Sequence, residues 1–149
     1  MMKLGMTPIV KAISRLMAPF IWMFGLYIIA HGHLSPGGGF AGGVFLAGGF
    51  ILLYLAMGTE PNAEAKSGHW ASKFEGEALL LFLLMASIGL SLKLGFMTNL
   101  LAKTHPGLPG QMEAGGLIPW ENLAIGIEVS AALVALFIAL ARHRIKEGP

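Results

Sequence analysis

Hydrophobic positions fall into four long blocks, Ile13 to Ala30, Phe40 to Met57, Ala78 to Met97 and Leu123 to Ala141, separated by polar or glycine-rich segments. Each block is close to the ~20 residues that a helix needs to cross a bilayer. A soluble bundle of similar apolarity would need a charged outer face on every helix, and these blocks have none. The pattern predicts an all-α integral membrane protein with four transmembrane helices, built as a single domain of 149 residues.

Composition sharpens that class. The chain is 55% hydrophobic and 12% charged, against roughly 25% charged in an average soluble domain. Cysteine is absent, which excludes disulfides and thiolate-bound metal or iron–sulfur clusters, and no ligand set for haem stands out. Redox cofactors are therefore not expected. Asn62, Asn99, Asn122 and Gln111 are the complete set of side-chain amides. Such scarcity fits a thermophilic source, and an apolar composition also lowers it. A net charge of +2 without a basic stripe implies no nucleic-acid partner. No internal repeat is visible, so the inverted-repeat plan of a stand-alone transporter is missing.

The positions of the ten Lys and Arg residues predict orientation. Lys3, Lys11, Arg15, Lys66, Lys73, Arg142, Arg144 and Lys146 share one side if four spans alternate. Lys103 alone falls on the other, and Lys93 falls inside the third block. Both termini and the polar loop Gly58 to Gly76 are thus expected in the cytoplasm. The first block is long and no clear A-x-A site follows it, so it is expected to be a retained helix rather than a signal peptide. Between the third and fourth blocks, Pro106, Pro109 and Pro119 with Gly107, Gly110, Gly115 and Gly116 exclude one regular helix. Trp120 is expected to anchor the fourth helix at the interface.

The corner His31 to Gly43, HGHLSPGGGFAGG, joins the first two blocks. Gly37, Gly39 and Gly42 match G-x-G-x-x-G, and Glu60 follows at roughly the spacing of a ribose-binding acid. A dinucleotide site, however, needs a preceding strand and a βαβ unit. Close helix packing is the better reading: Gly39, Gly43 and Ala47 recur every four residues, and Gly42 and Gly49 every seven. Pro36 sets the turn, and Gly37, Gly38 and Gly39 leave amides available at the next helix start. His31 and His33 form an H-x-H pair that could relay protons or make polar contacts at the corner. With no third ligand nearby, a metal is not expected. His69, His105 and His143 are isolated.

Beyond Arg15, which opens the first block, two charges lie deeper inside the apolar blocks. Glu128 lies five residues past Leu123, ~8 Å into its block, and Lys93 lies four residues before Met97, ~6 Å from the same outer end. On antiparallel helices they would share a level. Ala124, Glu128, Ala131 and Ala135 make one strip, and Ala86, Gly89 and Lys93 another. These strips of small residues suggest that both charges face protein. Two readings stay open: a Lys93–Glu128 pair that fixes helix docking, or Glu128 lining a hydrated ion path.

Gly32-His33, then Pro36-Gly37-Gly38-Gly39-Phe40, then Gly42-Gly43, resembles the signature of the B subunit (MnhB) of Mrp-type multisubunit cation/proton antiporters. The same subunit type occurs in archaeal membrane-bound hydrogenases and related ferredoxin-oxidising respiratory complexes. The resemblance implies a small accessory subunit of four membrane helices, without a catalytic centre, packed beside larger membrane subunits that exchange sodium and protons. Members often carry an acid in the last helix, where Glu128 falls. Leu34 replaces an expected Asn, and Lys93 is outside the pattern. A stand-alone antiporter, a hydrogenase-type complex and a purely structural scaffold remain the three readings.

Overall fold

The computed structural model describes residues 6–34, 36–58, 61–104, 107–108 and 115–146, with backbone alone for 61–67 and 142–146. Lys3, Ser35, Glu60, His105, Pro106, Pro109, Gly110 and Gln111 lie outside the described residues. Five helices follow in order: α1 (Pro8–Ala30), α2 (Gly39–Met57), α3 (Pro61–Ser91), α4 (Leu100–Thr104) and α5 (Ile118–Lys146). Four stretches are long and apolar enough to cross a membrane: Pro8–Ala30, Gly39–Met57, Gly68–Ser91 and Ile118–Ala141.

The helices start earlier than the apolar blocks because local chemistry sets their ends. Pro8 follows Thr7 at the first position of α1, where its missing N–H and fixed φ cost nothing. Pro61 does the same for α3, followed by the helix formers Ala63, Glu64, Ala65 and Lys66. The expected polar loop Gly58 to Gly76 is therefore mostly helix: polarity there marks the end of the bilayer, not the end of the helix.

α3 also stops earlier than expected, at Ser91 rather than Met97. The Leu94 N–H donates to the Gly89 carbonyl at 3.0 Å, and the Lys93 N–H to the Leu90 carbonyl at 3.0 Å. These are the paired bonds of a Schellman C-cap. Lys93 occupies its left-handed position, with φ 56°. The chain then turns back so that the Met97 N–H reaches the Ala86 carbonyl at 2.9 Å. Lys93 is thus an exposed cation just beyond a helix C-terminus, a favourable end for positive charge. Its conformation costs a side-chain-bearing residue roughly 1–2 kcal/mol. Lys93→Gly should stabilise the fold by about 1 kcal/mol, and Lys93→Val should destabilise it. Thermal midpoints in detergent in the order Val above Gly would refute this cap.

α5 is central. It packs extensively against both α2 and α3, while α1 packs mainly on α2. α1 and α2 are antiparallel, with Gly25 beside the Gly42 carbonyl and Arg15 donating to Met57 Sδ at 3.4 Å. α2 and α5 are parallel: Gly39 lies against Asn122 and Ile125, Gly43 against Gly126, and the Tyr54 and Phe137 rings meet at 5.4 Å. The buried apolar residues are mostly alanines, with Ile29, Val129 and Ile138 the larger ones. Small side chains that let backbones approach are how helices associate in lipid. At most 28% of any span is buried within the chain, so most of its apolar surface faces lipid or other subunits.

Candidate functional site

The glycine corner sits where α1, α2 and α5 converge. Gly38 precedes α2 with φ 109°, a conformation that suits glycine. The Gly39 N–H donates to Asn122 Oδ1 at 3.4 Å, so a side chain of α5 meets one of the orphan amides of α2. A Cβ on Gly32 would stand 2.9 Å from Asn122 Nδ2, and one on Gly37 would stand 3.0 Å from Ile28. The corner is closed by contact, not by loop length.

α2 is wedged between its neighbours through two glycine faces. Gly42 lies against Ile29 and the Gly25 carbonyl of α1, and Gly49 against Trp22. Gly43 faces α5: a Cβ there would stand 2.7 Å from the Gly126 carbonyl and 2.9 Å from Val129 Cβ. Ala47 is 1% exposed. Pro36 and Phe40 are exposed at the outside of the corner. Among the described residues there is no strand, so Gly37, Gly39 and Gly42 lack the context of a dinucleotide fingerprint.

The two histidines have different surroundings. His31 Nδ1 lies 3.1 Å from the Tyr27 carbonyl, and its ring sits 4.3 Å from the Tyr27 ring. His33 turns toward Gly115 and the start of α5. Among the described residues, neither of its buried ring nitrogens has a hydrogen-bond partner.

Asn99, like Asn122, carries a role that its sequence neighbourhood did not reveal. Its Oδ1 accepts the Ala102 N–H at 3.1 Å and the Leu117 N–H at 3.0 Å, while its Nδ2 donates to the Gly115 carbonyl at 2.8 Å. It caps α4 and ties the segment after α3 to the start of α5. The legible signal was the rarity of amides in so apolar a chain.

Glu128 lies ten residues into the 24-residue span Ile118–Ala141, roughly 15 Å deep. That is close to the middle of an apolar layer about 30 Å thick. It is half-buried. Lys93 is not beside it. Gly68 meets Ile138 at one end of the α3–α5 pair, and Asn99 holds Leu117 at the other. Glu128 is therefore level with about residue 78 of α3, and Lys93 lies roughly 20 Å further along. Neither forms an ion pair among the described residues, where Lys73–Glu77 at 3.6 Å is the pair present. The expected shared level rested on a third helix running to Met97. With α3 ending at Ser91 and α5 starting at Ile118 rather than Leu123, Lys93 falls beyond the last turn of α3 and Glu128 ten residues into its span.

Comparison with known proteins places this geometry in a family. Residues 9–135 match the domain related to the MnhB subunit of the Na+/H+ antiporter. An uncharacterised protein of Methanocaldococcus jannaschii is 31% identical over 131 residues, covering 85% of this chain and 49% of that protein. The putative antiporter subunit mnhB2 of Staphylococcus aureus (strain Newman) is 35% identical over 57 residues, covering 38% of this chain and 40% of that protein. A chain of the membrane-bound sulfane sulfur reductase, an archaeal respiratory membrane complex, superposes with TM-score 0.73 and 32% identity, over 90% of this chain and 57% of that one. This chain thus spans about half the length of the relatives it matches. With that match running from the first span into the fourth, the chain belongs to the family of domains related to the MnhB subunit of Na+/H+ antiporters.

Proposed function

We propose that this chain is an accessory, non-catalytic membrane subunit of a multisubunit cation/proton antiporter module, packed against other membrane subunits and coupled to sodium or proton movement. The family match over residues 9–135 carries this reading. Glu128 supplies its chemistry. An acid near mid-bilayer costs at least ~2–3 kcal/mol on insertion scales, so its accessible edge is expected to meet water or a polar group of a neighbouring subunit. The buried nitrogens of His33, unpartnered among the described residues, also call for a water or a partner. A second reading places the same subunit in a redox-driven respiratory complex, favoured by the match over 90% of the chain to a sulfane sulfur reductase chain.

Affinity purification of the tagged chain from solubilised membranes tests both. Antiporter-like membrane subunits should co-elute, and redox subunits eluting with them would select the second reading. A chain recovered alone under mild detergent would overturn both.

Both termini and the start of α3 are assigned to the cytoplasm from the distribution of positive charge. Cysteines introduced singly at Lys66 and Lys103 should differ in labelling by an impermeant maleimide added outside. Lys103 should react and Lys66 should not, and the reverse would invert the topology.

A further inference from the structure

We propose that the face of α5 centred on Glu128 is the docking surface for a transmembrane helix of another subunit, one that carries a lysine or arginine near the bilayer centre. The docking rests on the reading of the chain as a membrane subunit, and assigns both the face that is covered and the chemistry that covers it. With about 100° between successive residues of a helix, Glu121, Ala124, Ala132, Ala135 and Ala139 all lie within roughly 40° of Glu128. From Glu121 to Ala139 this stripe runs about 27 Å along the span.

This face is not made for lipid. The large exposed apolar residues of α5 are Ile118, Trp120, Leu123, Ile127, Leu136 and Leu140, and each lies about 80° or more round the helix from Glu128. Around Glu128 the side chains are small instead. Ala124 is buried, Ala132 and Ala135 are half-buried, and Ala139 is exposed. Alanines in this pattern let another backbone approach closely. Nor does the stripe suit a water channel along its length, because from Ala132 to Ala139 it is alanine alone.

Charge selects the partner. Glu128 is half-buried near mid-membrane and has no ion pair among the described residues. The described cations of this chain stand elsewhere. Lys93 is roughly 20 Å further along. Arg15 reaches Met57, whereas Gly43 is the α2 residue that meets Val129, so Arg15 is also about 20 Å away along the bundle. Lys11 lies one turn beyond Arg15, and Lys103 lies past the end of α3 on α4. Lys73 is nearer in height, but it sits over Trp70 and beside Glu77. It also lies about 140° or more round α3 from the buried Ala71 and Ala78. Lipid headgroups do not reach the bilayer centre, and an acid held there against protein calls for an opposite charge. The helix that fills the alanine stripe is therefore the element that brings the base.

Photo-cross-linking of the complete complex in native membranes tests the docking with Glu128 left intact. The chain has no cysteine, so Ala139→Cys gives a single site for a benzophenone maleimide at the exposed end of the stripe. The cross-linked peptide should come from a transmembrane helix of another subunit, with a lysine or arginine about 11 residues from the point of attachment. Glu128→Lys should then lower recovery of that subunit on the order of tenfold, and changing its base to glutamate in the same complex should restore recovery to within about twofold. Cross-links to lipid alone, a cross-linked helix without a base at that level, full recovery with Glu128→Lys, or no rescue by the reciprocal change would each overturn the proposal. Co-elution of the wild-type complex is scored separately. Cross-links to lipid alone in a complex that still co-elutes would remove the docked helix and leave the subunit reading standing.

Discussion

Leucine at Gly43 should disrupt the packing of α2 on α5, whereas leucine at Gly48, one turn and a residue further along the same helix, should be tolerated. The two positions differ in what a side chain would meet. A Cβ on Gly43 would approach the Gly126 carbonyl to 2.7 Å and Val129 Cβ to 2.9 Å. One obstacle is backbone, so no rotamer change relieves it, and the helices must separate. A Cβ on Gly48 meets nothing within 4 Å. Overpacking of a tight interface costs typically ~1–3 kcal/mol. Here it also separates Gly39 from Asn122, and with it the hydrogen bond at the corner. Gly43→Leu should lower the thermal midpoint of the complex in detergent, and should reduce its recovery by size-exclusion chromatography. Gly43→Ala should fall in between. Equal stability of the Gly43→Leu and Gly48→Leu complexes would show that close approach of α2 and α5 is not what holds this subunit together.

The glycine spacing that points to Gly43 was legible in the sequence, because small residues at a four-residue period have few uses in an apolar helix. What the spacing could not assign was the partner of each face: Gly39 and Gly43 meet α5, while Gly42 and Gly49 meet α1. Hydropathy found the four spans but not their ends. Apolarity reports contact with lipid, whereas helix ends obey caps: Pro8, Pro61 and the Schellman turn at Lys93. That last turn decided the most. A lysine in the left-handed position has no strong sequence signal, since glycine usually marks such a cap, and an apolar run continuing to Met97 conceals the break. The two asparagines were hidden for another reason. Asn122 meets Gly39 across 83 positions and Asn99 meets Leu117 across 18, and a bond between distant residues leaves no periodicity to read.

The break at Ser91 also changes what Glu128 can be doing. Without Lys93 at its level, neutralisation within the chain is not available among the described residues, and the acid lies near mid-membrane. Glu128→Gln keeps the size and most of the hydrogen bonding but removes the exchangeable proton and the charge. If the carboxylate lines the ion path, this variant should assemble normally and lose ion exchange on the order of tenfold, because a titratable group in the membrane serves transport. Glu128→Leu gives the opposite comparison. On insertion scales it removes a cost of ~2.5–3.5 kcal/mol, so a merely lipid-facing Glu128 would be replaced without harm. An acid that pairs with a cation of a neighbouring subunit would instead lose that subunit with both variants, since the partner's buried charge is left unpaired. Subunit content by denaturing gel and sodium-dependent proton flux in vesicles separate these outcomes. Full assembly with full flux in both variants would remove Glu128 from any path and from any subunit contact.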